Sequence, residues 1–185
     1  AAQAFLHPEK EQFHDPFLMR DMEKAVRRIL HAIHAGEQIV VYGDYDVDGM
    51  TSTTLLMKNI RALGGMVSYY IPNRFTEGYG LNGRALEQLV AEGCNLLITV
   101  DCGIASVETV AELDAGMDVI ITDHHLPGSV LPSAYAVINP HRVDCPYPDK
   151  ELAGVGVAFK LVQALWQMEK QRLYTDDLDI AALGT

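Results

Sequence analysis

With 185 residues, 25 acidic side chains against 14 basic and a formal net charge of −11, the sequence is 49 % hydrophobic and 21 % charged. These are globular proportions that exclude disorder, collagen and coiled coil, and the length suits one domain with a sizeable buried core. The acidic balance argues against a simple nucleic-acid binder, because counterion release from phosphates needs clustered Lys and Arg.

Taken in chain order, apolar runs and helical stretches alternate from residue 20 onward. Met22, Val26, Ile29, Leu30 and Ile33 recur at spacings of three and four, which predicts a helix over 20–35 that stops at Gly36. Residues 38–42 read as a buried strand and 51–63 as a helix ended by Gly64-Gly65. A strand over 67–71 and a helix over 81–92, capped by Asn82 and stopped by Gly93, come next. Leu96-Leu-Ile-Thr-Val100 is a continuous apolar strand, followed by a helix over 106–115 and strands over 119–122 and 136–138. Residues 139–151 are rich in turn formers and read as a loop, and 155–170 as a final helix. Apolar strands separated by helices of this length mean βαβ units, so the expected fold is α/β, doubly wound, with a mainly parallel sheet covered by helices on both faces.

No apolar run approaches the ~18 residues needed to cross a bilayer, and the opening residues do not read as a signal peptide. The three cysteines, Cys94, Cys102 and Cys145, are odd in number and widely spaced, forming neither a disulfide framework nor a zinc pattern, which fits a reducing cytoplasm. Cys102 beside Asp101 has no evident activating base and is not read as a nucleophile. The chain opens without Met and stops just after an apolar stretch begins, and both ends are expected to be cuts in something longer.

In open parallel sheets, ligands bind beyond the carboxyl ends of the strands. Three such ends carry acids: Asp44, Asp46 and Asp48 after the strand 38–42, Asp101 after 96–100, and Asp123-His124-His125 after 119–122. If those strands are neighbours, one edge gathers five aspartates and two histidines. In an extended backbone the alternation of Asp44, Asp46 and Asp48 with Tyr45 and Val47 would point all three carboxylates one way. Like charges so placed call for cations, and hard oxygen ligands with imidazole suit Mn²⁺ or Mg²⁺ better than structural zinc. Two ions bridged by a shared aspartate are the arrangement for in-line attack of water on phosphorus. A lone strand-end Asp ordinarily caps a helix, and Asp-x-Asp-x-Asp-Gly also opens calcium loops, but position 55, where such a loop needs Glu, is Leu.

Asp44-Tyr-Asp-Val-Asp-Gly49, Asp101 in Val-Asp-Cys-Gly-Ile104, and Asp123-His-His125 resemble motifs I, II and III of the DHH phosphoesterase superfamily, and Asp179 in Asp-Ile-Ala-Ala-Leu-Gly-Thr185 resembles motif IV. Pro72-Asn-Arg-Phe-Thr-Glu-Gly-Tyr-Gly-Leu81, Ile138-Asn-Pro-His141 and Leu152-Ala-Gly-Val-Gly-Val-Ala-Phe159 are similar to stretches of its bacterial branch that degrades single-stranded DNA from the 5′ end. The resemblance runs from residue 38 to the last residue, a DHH domain over 38–185 behind a lead-in over 1–37 that holds a helix.

What the resemblance implies is a 5′-to-3′ exonuclease of DNA repair and recombination, dependent on two divalent ions, Mn²⁺ foremost and Mg²⁺ second. One ion would be held by Asp44, Asp46 and Asp101, with Asp44 where related phosphatases have histidine. The other would be held by Asp48, Asp101, His124 and Asp179, with Asp101 bridging. Asp123 would orient the histidine pair, and His125 would face the scissile phosphate as electrophile or proton donor. Arg74 would grip a DNA phosphate or, alternatively, form a surface ion pair. The turn at Gly154 and Gly156 would offer N–H groups to an anion or simply allow tight packing. Phe75 and Tyr79 would stack on bases or lie in the core. Resemblance further implies a smaller C-terminal DHHA1 domain outside this chain, and partnership with single-strand-binding protein and a helicase.

The rival within the superfamily is a small-substrate phosphatase or phosphodiesterase acting on pyrophosphate, short oligoribonucleotides or cyclic dinucleotides. A non-catalytic DHH module is a third reading, opposed by the presence of every acid expected from motifs I to IV. Six of the acids belong to the expected site, which leaves −5 for the rest of the chain. The acidity therefore does not exclude nucleic acid.

Overall fold

The computed structural model describes residues 13–113 and 116–185. Helix α1 (Met22–Ala35) precedes strand β1 (Gln38–Gly43), helix α2 (Val47–Ala62) and strand β2 (Met66–Tyr70). Helix α3 (Gly83–Ala91), strand β3 (Leu96–Val100), the short helix α4 (Val107–Ala111) and strand β4 (Asp118–Thr122) follow. Strand β5 (Ala136–Ile138), helix α5 (Gly154–Lys170) and helix α6 (Leu178–Gly184) complete the order.

All five strands are parallel, in the order β2-β1-β3-β4-β5, the doubly wound arrangement. The winding reverses between β1 and β3, which opens a crevice at their carboxyl ends. Alternation along the strands divides the core in two. Ile39, Val41, Ile98, Ile120 and Ile138 face α1, α2 and α5, whereas Val40, Tyr42, Leu97, Ile121 and Val137 face α3 and α4. Met22, Val26, Ile29 and Ile33 of α1 belong to the first of these cores, so the lead-in helix packs as part of the same layer as α2 and α5.

Several boundaries differ from expectation for identifiable reasons. Helix α2 begins at Val47, four residues earlier than the apolar pattern suggests, because the Asp46 carboxylate accepts the Gly49 N–H at 2.9 Å and caps it. The 106–115 helix is regular only over Val107–Ala111, and residues 114–115 of that expectation lie outside the described set, as do residues 1–12 of the lead-in. Helix α6 was not foreseen. Strand β2 is an edge strand with Met66 and Tyr69 more than half exposed, so it departs from the fully apolar pattern. Asn82 caps α3 as expected, accepting from the Ala85 N–H at 3.2 Å.

Among the described residues, one lysine is buried inside this fold. Lys160 of α5 is 4 % exposed; its Nζ donates to His14 O at 3.0 Å and Gln163 Oε1 at 2.8 Å and sits 4.9 Å from the Phe13 ring centroid. It thereby ties the segment before α1 to α5. Burial lowers its pKa to about 8, with Asp149 and Asp15 opposing. Below pH ~8 the folded state carries the full cost of a buried ammonium, and the cost is relieved as pH climbs toward the unfolded value. The stability difference between Lys160→Met and the unchanged protein should therefore shift in favour of the unchanged protein from pH 8 to 10 in urea unfolding; a pH-independent difference would show that Lys160 does not titrate there.

Candidate metal centre

Strand register builds the site. Gly43, Val100, Thr122 and Ile138 are aligned partners across four strands, so the residues one step beyond them, Asp44, Asp101, Asp123 and Asn139, form the next row at the carboxyl edge. Asp44 and Asp101 flank the point where the winding reverses.

The turn after β3 is held in a demanding conformation. Asp101 has φ +59° and Gly103 φ +106°, and Thr99 Oγ1 donates to Cys102 O at 2.8 Å, closing the turn. Asp tolerates the left-handed region better than most residues. The turn aims the Asp101 carboxylate against the start of α5, where a Cβ on Gly154 would lie 2.6 Å from Asp101 Oδ1. A Cβ on Gly49 would likewise strike the Asp44 backbone at 2.5 Å. Glycine at 49 and 154 is what allows α2 and α5 to approach these carboxylates.

Asp44 and Asp101 are 5 % and 2 % exposed, and neither Asp44 Oδ1 nor Asp101 Oδ1 receives an aligned hydrogen bond. Burial raises both carboxyls, Asp101 to about 6. Asp44, Asp46 and Asp101 each offer a ligand atom, all within 4.8 Å of one another, and Asp101, His124 and His125 form a second such group. Asp101 is common to both. Orphaned buried oxygens, hard donors and a shared carboxylate are a donor set that fits divalent cations.

The histidine pair is positioned by Asp123, which is fully buried. Its Oδ1 accepts from the His124 N–H (2.7 Å) and the His125 N–H (3.1 Å) and meets His125 Nδ1 at 2.7 Å; its Oδ2 accepts from the Ile104 N–H at 2.9 Å. Burial pushes this carboxyl up, but the bonds from His125 and the backbone together hold it below its ordinary value. Asp123 in turn raises His125 against the effect of burial. His124 is raised by Asp101, whose Oδ1 lies 3.1 Å from its Nε2. Asn139 was not singled out from sequence, yet it is fully buried and donates to His125 O at 2.9 Å while accepting from the His141 N–H at 2.7 Å. Its signal was present in the Ile138-Asn-Pro-His141 stretch, but the role depends on β5 lying beside β4.

Other expected residues are placed differently. Asp48 lies in the first turn of α2, so Asp44, Asp46 and Asp48 do not share one extended face. Its two carboxylate oxygens accept from the Gly154 N–H at 2.8 Å and the Val155 N–H at 2.6 Å, and Oδ2 lies 3.8 Å from His124 Nε2. The anion at the start of α5 is therefore Asp48 itself, and the Gly154 N–H is not left for a substrate phosphate. A Cβ on Gly156 would sit 3.2 Å from Leu152, which is close packing. Asp179 is exposed on α6 and belongs to neither of the ligand groups found among the described residues. Arg74 is exposed, with its guanidinium carbon 5.2 Å from the Tyr45 ring centroid, and its charge offsets a small part of the rise that burial imposes on the Asp44 carboxyl. Phe75 is 95 % and Tyr79 52 % exposed, so neither is a core aromatic. Tyr79 OH lies 3.3 Å from His125 Nδ1. All three cysteines are free and buried, and burial pushes the Cys102 thiol well up, so it is no nucleophile.

Buried carboxylates gathered at the switch point of a doubly wound α/β domain stand where ligands of such sheets bind. The chain belongs to the DHH family: the model of the "DHH family, N-terminal domain" matches residues 38–185. It is 48 % identical over 186 residues to the single-stranded-DNA-specific exonuclease RecJ of Bacillus subtilis (strain 168), covering 100 % of this chain and 23 % of that protein. The RecJ of Salmonella typhimurium is 45 % identical over 177 residues, 89 % of this chain and 31 % of the relative. The chain thus spans less than a third of the length of these relatives. Among solved structures, an exonuclease RecJ bound to manganese superposes with a TM-score of 0.83 at 36 % identity, over 90 % of this chain and 43 % of that one.

Gly154→Ala is expected to displace the Asp101 carboxylate and weaken Mn²⁺ binding by about 10–100-fold, the range for residues that position ligands, with little change in melting temperature. Paramagnetic resonance of free Mn²⁺ measures it, and unchanged affinity would remove Gly154 from the site.

Proposed function

We propose that this chain is the metal-bearing domain of a nuclease that hydrolyses phosphodiester bonds of single-stranded DNA from the 5′ end, in DNA repair and recombination. The observation that carries the reading is the pair of orphaned carboxylate oxygens on Asp44 and Asp101, with Asp101 shared by two ligand-competent groups. The relatives named single-stranded-DNA-specific exonuclease RecJ and the manganese-bound neighbour support the single-strand exonuclease part of this reading, and the 5′ polarity and the repair role rest on family resemblance.

Asp44, Asp46 and Asp101 would hold one divalent ion. Asp101 and His124 would hold the second, with Asp48 beside His124 and Asp179 as the ligand still to be brought in from α6. Mn²⁺ or Mg²⁺ there would supply charge neutralisation on the phosphoryl oxygens and activation of water. The protein's own groups do the rest. Asp123 occupies His125 Nδ1 and leaves Nε2 to donate a proton to the departing 3′ oxygen. Arg74 is held over Tyr45 as a cation able to grip a phosphate. The three free cysteines support a reducing, cytoplasmic setting, and among the described residues no helix is long and apolar enough to cross a membrane. Single-strand-binding protein and a helicase as partners rest on family resemblance alone.

The alternative, a phosphatase or phosphodiesterase for short oligoribonucleotides, cyclic dinucleotides or pyrophosphate, is opposed by Asp44, which stands where those relatives carry histidine. Mononucleotides should be released from long 5′-phosphorylated single strands with Mn²⁺, and cleavage confined to dinucleotides would sink the exonuclease reading. Asp101→Ala should abolish both turnover and Mn²⁺ binding. Arg74→Ala should raise KM by about 10–100-fold, the worth of a charge-assisted hydrogen bond, while leaving Mn²⁺ affinity unchanged.

A further inference from the structure

Helix α6 has little hydrophobic anchorage of its own. Only Gly184 among its residues is buried; Ile180 and Ala181 pack partly against the core, and Leu178 and Leu183 are exposed. A helix this short is not stable without outside support. Its far end is seated closely, since a Cβ on Gly184 would lie 2.1 Å from Thr51 Oγ1 of α2. Its start is held by polar bonds that converge on Asp177, whose side chain is 7 % exposed. One carboxylate oxygen accepts from the Lys58 ammonium of α2; the other accepts from the Tyr174 hydroxyl and from Asn59 Nδ2 of α2 at 3.3 Å. Asn59 in turn accepts from Trp166 Nε1 of α5 at 2.8 Å, and the Trp166 and Tyr174 rings stack with centroids 5.6 Å apart. Asp177 stands at φ +58°, a left-handed backbone that persists only where the surroundings over-determine it, as these bonds do.

We propose that Asp177 is the positioning residue for Asp179, and that its bonds to α2 and Tyr174 set where the Asp179 carboxylate stands relative to the metal centre. The proposal rests on the reading of Asp179 as a ligand of the second ion. Asp177 belongs to neither ligand group found among the described residues, so its effect is exerted through α6. Asp179 follows it by two residues, and the Ala181 N–H donates to Asp177 O at 3.2 Å, closing one turn around Asp179. The Asp179 backbone therefore cannot shift without moving Asp177. Helix α6 also leans on the turns that carry the site. Thr51 follows Asp48 by three residues, and a Cβ on Gly184 would lie 3.0 Å from the side chain of Val155, whose N–H donates to Asp48. One end of α6 is thus seated beside Asp48, and Asp177 fixes the other. Without the Asp177 carboxylate, ligation by Asp179 would have to overcome the entropy of a mobile helix start.

The test is a Mn²⁺ titration of the full-length protein, followed by paramagnetic resonance of the free ion, with the melting temperature measured alongside. Asp177→Gly removes the carboxylate and accepts a positive φ without strain. Lys58→Met removes one donor from a side chain that is 58 % exposed, so a folded variant is assured. Asp177→Asn keeps an acceptor oxygen and tolerance of the left-handed region. One Mn²⁺ affinity, the same one that Asp179→Ala weakens, should fall by about 10–100-fold in Asp177→Gly, the range for residues that orient ligands. It should fall less in Lys58→Met and be largely restored in Asp177→Asn. The other affinity should be kept, because Asp44, Asp46 and Asp101 lie on other elements. In the Asp179→Ala protein, adding Asp177→Gly should weaken Mn²⁺ binding no further. A purely structural Asp177 would lower the melting temperature and leave both affinities unchanged, and that result in the folded variants would overturn the proposal. A loss in Asp177→Gly that adds to the loss in Asp179→Ala would overturn it as well. If Asp179→Ala itself binds Mn²⁺ as the unchanged protein does, the reading of Asp179 as a ligand fails. If Asp179→Ala loses an ion and the Asp177 variants do not, only the positioning role fails.

Discussion

Two carboxylates side by side in a buried place, each with one oxygen that receives no aligned hydrogen bond, are costly to keep ionised, and that constraint organises this molecule. Asp44 and Asp101 are held in this way at the junction of β1 and β3. Their surroundings prevent escape. Gly49 and Gly154 let the starts of α2 and α5 press against them, and the turn of Asp101 is locked by Thr99. A cation is the general remedy for such a cluster, and the same arrangement that is costly without one is what gives a divalent ion its affinity.

Around this cluster the other charges are divided by role. Asp48 is satisfied by the amides at the start of α5, which both anchors that helix and places a third carboxylate 3.8 Å from His124. Asp123 is satisfied by three backbone amides and an imidazole, so it stays ionised while buried and fixes the orientation of His125. Asn139 secures the same loop from β5. The result is a rigid row along the sheet edge, with the exposed Arg74–Phe75 loop nearby. Five of the chain's acids, Asp44, Asp46, Asp48, Asp101 and Asp123, are thus gathered along one edge of the sheet, where a cation would offset them.

Much of the fold was legible because hydrophobic periodicity is local. The strands 96–100 and 119–122 and the helices near 22–35 and 154–170 carry continuous or 3.6-residue patterns that survive in the structure. Helix α2 was misjudged at its start because capping by Asp46 extends it through Val47–Met50, where the two apolar side chains, Val47 and Met50, are exposed and do not continue the buried stripe. Helix α6 was missed because seven residues are too short to show a period. At the site, the acids after three strands were readable from spacing, since parallel strands bring equivalent ends to one edge. The division of labour among those acids was not: Asp48 and Asp46 share one short motif, yet one caps α5 across the fold and the other faces Asp101.

The sequence by itself determined the fold class, the three acid-bearing strand ends and the residue types suited to hard divalent cations. Those follow from patterns within a dozen residues and from the rule that parallel strands align their carboxyl ends. Tertiary structure alone decided which carboxylates lie unsatisfied, that the start of α5 is already taken by Asp48, that Asn139 braces the histidine loop, and that Asp177 anchors the start of α6. Each of these depends on contact between segments far apart in the chain, and a contact of that kind leaves no periodic mark in the residues that make it.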